Sequence, residues 1–259
     1  MNRTLKYILL SVCGCLLAIC IISSYIAGER LGRTRICERI EIRVLDSLEN
    51  NFISQEDIIK VLDKTYGKYL GVASDSLDLT GIEEIVNRKS AVLKSEAYVT
   101  ADGTLHIDII QRKPVVRFQK QDGGFYADAN GCIFPLQSSF ASHVQVIDGH
   151  IPIAANSGYK GEITDASEKK WFDSMMNLVN FLENDSRWKG KIVQIHVRED
   201  SDLVLVPRTG RERFIIGQPE ELEDKFGRME KYYTAILPEK GSDRYKEVDL
   251  RFKGQIICR

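Results

Sequence analysis

From Tyr7 to Ala27 the sequence reads YILLSVCGCLLAICIISSYIA, 21 residues without a charge, and no other stretch restricts the fold as strongly. At about 1.5 Å of rise per residue such a run can cross the roughly 30 Å hydrocarbon core of a bilayer as a helix. Cleaved leaders fit less well. A secretory signal carries an apolar region of about 7 to 15 residues that ends at a small-x-small site, whereas this run is longer and Tyr25 interrupts the nearest such site. A lipoprotein signal expects a small residue before its cysteine, and here Val12 precedes Cys13 and Ile19 precedes Cys20. The expectation is an uncleaved transmembrane helix over 7–27 after a short tail at 1–6. Charge does not orient it, because Arg3 and Lys6 precede the run and Arg30, Arg33 and Arg35 follow it.

The rest of the 259 residues is long enough for one or two domains. A formal net charge of -1 offers no basic field for nucleic acid. Outside the apolar run only Cys37, Cys132 and Cys258 remain, too few and too scattered for a disulfide framework. Buried or free thiols are expected, with a Cys37–Cys132 or Cys132–Cys258 bridge as the alternatives.

Beyond a charged stalk at 28–39, the alternation of Ile40, Ile42 and Val44 predicts a strand. Ser54 then opens a helix with Asp57 three residues on; Ile58, Val61 and Leu62 form its apolar stripe and Gly67 its stop. A second short helix has Thr80 and Glu83 as its capping box and Ile82, Ile85 and Val86 facing inward. AYVT and LHIDII follow as a hairpin across Asp102-Gly103. Strand, helix, helix, strand, strand makes a small α+β unit over 40–112, two helices on one face of a three-stranded sheet. Pro114 cannot donate to a ladder, so Arg112-Lys113-Pro114 reads as a boundary.

A second unit over 113–259 starts with strand Val115–Phe118, a hairpin FYADANGCIFPL across Asp128–Gly131 and a strand HVQVIDG. Asp165 caps a long helix with Glu168 at its box position, and strands IVQIHV, DLVLVP and RFIIG follow. A further helix places Leu222, Phe226, Met229, Tyr233 and Ile236 on one face, and YKEVDLRF and QIICR read as the last strands. The fold class is therefore α+β: an N-terminal transmembrane helix, a small two-helix unit, and a larger mixed sheet with helices on one face.

One short tail, one span, the FISQEDI helix after the first strand, the hairpin DGTLHIDIIQRKPVVRF, the FYADANG segment and a late DLRF motif together resemble the bacterial cell-division family FtsQ, also called DivIB. The resemblance spans nearly the whole chain. It implies that 40–112 is a POTRA domain and 113–259 the FtsQ-type β domain, with the N-terminus cytoplasmic and both domains exported. It also implies a scaffold without chemistry at the septum of the cytoplasmic membrane, binding the bitopic coiled-coil proteins FtsB and FtsL. In that family the partner adds a strand near a DLRY motif, which stands here as Asp249, Leu250, Arg251 and Phe252.

An open strand edge offers unpaired N–H and C=O groups that an extended segment can satisfy. Arg251 and Phe252 are therefore the expected side-chain anchors. Lys253, Gly254, Gln255, Ile256 and Ile257 are the expected backbone platform, and Arg198 a second charged position. For Arg251 the plainer reading is a solvated surface charge, and for Phe252 a core ring.

Enzyme chemistry finds no footing. Of four histidines, His106 and His196 lie within alternating strands, and no HExxH, Walker loop or GxGxxG occurs. No cofactor, metal or catalytic residue is expected. The competing reading is a membrane-tethered sensor, which requires a ligand-sized pocket with convergent polar groups. A transport accessory using the POTRA unit as a chaperone would need repeated units or a barrel, and neither is visible.

Overall fold

The computed structural model describes residues 12–25, 35–47, 50–121, 123–155, 158–241 and 244–259. Residues 12–25 are helical (α1) and exposed. Among the described residues no helix is long and apolar enough to cross a membrane. The rest of the expected span, 7–11 and 26–27, lies outside them, as do the tail at 1–6 and the stalk over 28–34.

The chain divides into two units, one built from the residues up to Glu49 and Ile53–Gln111, the other from Asn50–Phe52 and Arg112–Arg259. In the first unit, β1 (Arg39–Val44), β2 (Val92–Val99) and β3 (Thr104–Gln111) form a sheet in the order β1-β3-β2. β1 runs parallel and β2 antiparallel to β3. Leu105, Ile107 and Ile109 alternate on one face of β3 and are fully buried, as are Ile58 and Leu62 of α2 (Gln55–Thr65) and Ile82 and Val86 of α3 (Leu79–Asn87). Each such side chain contributes about 1.5–3 kcal/mol of burial. The ordered unit begins ahead of Ile40, because Cys37 is buried and exchanges backbone bonds with Val72 and Gly71.

Ser54 caps α2 as its sequence requires, its hydroxyl accepting from the Asp57 N–H at 3.1 Å. The second cap differs from expectation. Asp78, two residues before Thr80, accepts from the Gly81 N–H at 2.9 Å. Gly81 permits this approach, since a Cβ there would lie 2.4 Å from the Asp78 carboxylate. In the hairpin, Asp102 accepts from the Thr100 and Thr104 hydroxyls, bonds that hold its carboxyl down at about 2.

The second unit holds a nine-stranded mixed sheet in the order β12-β11-β10-β9-β8-β7-β4-β5-β6. Its strands are β4 (Pro114–Lys120), β5 (Gly123–Asp128), β6 (Ile133–Pro135), β7 (Gln145–Gly149), β8 (Ile192–Val197), β9 (Leu203–Pro207), β10 (Arg213–Gly217), β11 (Glu247–Asp249) and β12 (Ile257–Cys258). Two helices supply the core on one face: α4 (Ala166–Asn184) with Phe172, Met175 and Val179, and α5 (Leu222–Lys231) with Phe226 and Met229. They pack with Phe118, Ile147, Ile195, Leu205, Phe214 and Val248 of the strands in a single apolar cluster.

α5 runs into one π turn, Tyr232–Ile236, and then α6 (Leu237–Lys240). Pro238, at the start of α6, has no N–H to give to the preceding turn, and the extra residue of the π turn precedes it. Two consecutive tyrosines, Tyr232 and Tyr233, thereby both reach the Phe214 ring, at 5.3 and 5.5 Å. A separate aromatic group joins Phe52 to Tyr126, Phe134 and Phe140.

The two ends of this sheet are finished differently. At one end β6 carries Pro135 and is covered by Gly161, which exchanges backbone bonds of 2.8 and 3.0 Å with Ile133. At the other end lies β12, only two residues long. All six cysteines are free, so neither bridge considered from the sequence forms.

Candidate functional site

β11 pairs parallel with β10 and antiparallel with β12. Val248 and Leu250 face the core and are fully buried, so Asp249 between them projects to the opposite face. Asp249 is nonetheless 2% exposed, and a buried carboxylate needs a partner. Arg251 supplies it, through Nε to Oδ1 at 3.0 Å and Nη2 to Oδ2 at 2.7 Å, a bidentate fork. Its remaining Nη1 donates to Asp202 at 2.7 Å. Gly217, at φ +65, leaves room for this reach, because a Cβ there would lie 3.1 Å from Arg251 Cγ.

The Arg251 bonds hold the Asp249 carboxyl below the usual carboxylate range, against the opposing effect of burial. A carboxyl depressed on folding stabilises the protein fully above its unfolded value near 4, and that contribution is lost as pH falls through the lower folded value. Denaturant titrations between pH 2 and 6 are expected to show this acid-side loss in the wild type and a smaller or inverted dependence in Arg251→Met. Identical pH profiles would contradict the pairing.

Arg251 lies at the surface, as the plainer reading has it, but its guanidinium is tied to Asp249 and Asp202. Phe252 is no core ring: it is 50% exposed, with the Arg251 guanidinium 5.7 Å from its centroid. Arg198 follows β8 and reaches Glu247 Oε1 of β11 at 3.4 Å, across the intervening β9 and β10. Val204 and Ile215 on those two strands are almost fully buried. Arg198 and Arg251 also meet around one turn, as the Arg198 N–H donates to the Asp202 carbonyl at 2.9 Å. Ser201 in that turn and Glu221 before α5 are the two non-glycine residues with positive φ among the described residues.

The expected backbone platform needs correcting. YKEVDLRF and QIICR are strands only at Glu247–Asp249 and Ile257–Cys258. Phe252 to Gln255 form a turn closed by the Gln255 N–H on the Phe252 carbonyl at 3.1 Å, with Gly254 at φ +72. Arg228 of α5 donates Nη1 to the carbonyls of Phe252 at 2.7 Å and Gln255 at 2.6 Å. Lys253 bridges to Glu221 at 3.2 Å. These two carbonyls are occupied, so Lys253, Gly254 and Gln255 present no free strand.

What stays open lies further on. Glu247 and Arg259 exchange backbone bonds of 3.1 and 2.9 Å, while Val248 stands opposite Cys258 and Asp249 opposite Ile257. Antiparallel pairs alternate between bonded and non-bonded, so Ile257 and Arg259 bond inward to β11. By the same alternation the main-chain groups of Ile256 and Cys258 face the far side of β12, where no strand pairs with it among the described residues.

The sequence offered no route to Asp202, Glu247 or Gly217 as members of this corner, because their relations cross several strands. Arg228 did leave a trace, being flanked by the core residues Phe226 and Met229 and four residues after Asp224, with which it pairs at 2.9 Å. Among the described residues no group of metal-binding side chains occurs. His196 bonds Asp148 at 2.9 Å, and His106 stacks on Tyr98 with centroids 5.1 Å apart. A crevice of about 310 Å³ is lined by residues including His143, Gln145, Glu183 and Arg208. Neither carboxamide atom of the buried Gln145 has a partner among the described residues.

Two family models match the chain. Residues 113–259 match the one described as FtsQ/DivIB, C-terminal related, and residues 35–110 match the POTRA-like domain. Among curated proteins none matches.

Proposed function

Because the chain belongs to the FtsQ/DivIB family of cell-division scaffold proteins, we propose that it is a non-enzymatic, single-pass scaffold of the septal cell-wall machinery that binds its partners by strand addition at β12. The observation that carries this reading is the asymmetry of the large sheet. One end is closed by Pro135 and Gly161, while the other ends in a short strand on whose outer side no strand pairs among the described residues, beside the exposed Phe252 ring. Edges that a protein does not protect are where extended segments pair.

In this reading 1–6 is a cytoplasmic tail, 7–27 the anchor in the cytoplasmic membrane, 28–39 a stalk, 40–112 the POTRA domain and 113–259 the β domain on the extracytoplasmic side. The partners are FtsB- and FtsL-type bitopic coiled-coil proteins. Ile256 and Cys258 offer the backbone edge, Phe252 the apolar anchor, and Arg251 with Arg198 the polar side of the surface.

The test combines a fluorescent fusion in growing cells with co-purification of the full chain and its FtsB-type protein. Septal enrichment together with capture is expected. A folded chain that captures no such protein, or that stays evenly spread along the envelope, would overturn the assignment.

A further inference from the structure

Arg228 is 5% exposed, an expensive position for a side chain that stays charged. Its guanidinium is fully engaged in two directions. Nε and Nη2 hold Asp224 of its own helix at 3.0 and 2.9 Å, and Nη1 holds the Phe252 and Gln255 carbonyls. One side chain thus joins α5 to the turn from which β12 departs.

We propose that Arg228 is the positioning residue of the partner-binding edge: by taking both carbonyls of the 252–255 turn it keeps β12 on β11 and confines strand addition to the main-chain groups of Ile256 and Cys258. This rests on the strand-addition reading above. The physical case has three parts. The two carbonyls accept from Arg228 and, at Phe252, from the Gln255 N–H as well, so an incoming N–H finds them occupied. β12 is held on β11 by few pairs of its own, Val248–Cys258 and Asp249–Ile257 in the ladder and the Glu247–Arg259 bonds beyond them. Finally, the turn that Arg228 grips begins at Phe252, whose ring stands exposed. A planar fork can serve a carboxylate and two carbonyls at once, which a single ammonium cannot do with the same geometry.

The test uses the full chain, with Arg228→Met, Arg228→Lys and Gly254→Ala. A Cβ at Gly254 would meet no atom within 4 Å, but the φ of +72 there strains any residue other than glycine, so its replacement loosens the turn without touching Arg228. Amide exchange is read at Ile257 and Arg259, which bond inward, and at β8 to β10 as an internal control. Capture is read with the extracytoplasmic part of the bitopic partner.

Arg228→Met is expected to speed exchange at Ile257 and Arg259 at least about tenfold with the control strands unchanged, and to weaken capture at least about tenfold. Arg228→Lys should recover part of both, and Gly254→Ala should move both as Arg228→Met does. Unchanged exchange at Ile257 and Arg259, or unchanged capture despite faster exchange, overturns the proposal. If Arg228→Met fails to fold, Gly254→Ala decides by the same two readings. Failure of the wild type to capture the partner would sink the strand-addition reading instead, and the exchange readings would still decide whether Arg228 holds the strand.

Discussion

Replacing Ile58 with aspartate is expected to unfold the first unit. Ile58 is fully buried on α2, and a carboxylate there either loses its hydration or must take up a proton to stay inside. Together with the lost apolar burial this costs upwards of about 4 kcal/mol. A unit of this size has only about 4 to 11 kcal/mol to lose. Ile58→Val, which removes one methyl group, should cost only about 1 kcal/mol. Amide exchange in β1, β2 and β3 checks the result: protection should collapse in Ile58→Asp and persist in Ile58→Val. Native protection in the aspartate variant would mean that α2 does not pack as described.

The second large effect is expected at the sheet corner. Arg251→Glu places a third carboxylate beside Asp202 and the buried Asp249 and removes the fork that neutralised them. Because Arg251 is exposed and only Asp249 is buried, leaving that carboxylate without its fork costs about 1–3 kcal/mol. Capture of an FtsB-type protein should fall at least about a hundredfold, with the end of β11 loosened. Phe252→Ala is the gentler control, since its ring is half exposed and carries no core load. Loss of an aromatic anchor at an interface costs about 2 kcal/mol or more, close to a thirtyfold loss of capture, with thermal stability nearly unchanged. Full capture by a folded Phe252→Ala protein would remove that ring from the surface.

Local chemistry made much of this fold readable. Ser54, Asp165 and the Asp102-Gly103 turn act within a few residues of themselves, and each stands where its sequence signal put it. Thr80 misled because Asp78 competed for the same helix start, and the deciding factor was the missing Cβ of Gly81. Tyr232 was missed because a strict helical period was carried through a π turn. The terminal strands were read too long for a related reason. Alternation marks which residues can face a core, but whether Arg251 to Ile256 continue a ladder depends on Arg228, more than twenty residues away. The POTRA-like and FtsQ/DivIB, C-terminal related matches follow the order of elements that the sequence already displayed.

The claim on which the account turns is that a partner's backbone adds to the outer side of β12. Amide exchange at Cys258, whose N–H faces away from β11 by the pairing register, tests it most directly, measured in the full chain alone and with the bound extracytoplasmic part of its FtsB-type partner. The account predicts fast exchange in the free protein and protection of at least about tenfold in the complex. A complex that forms while the Cys258 amide exchanges as fast as before would contradict it.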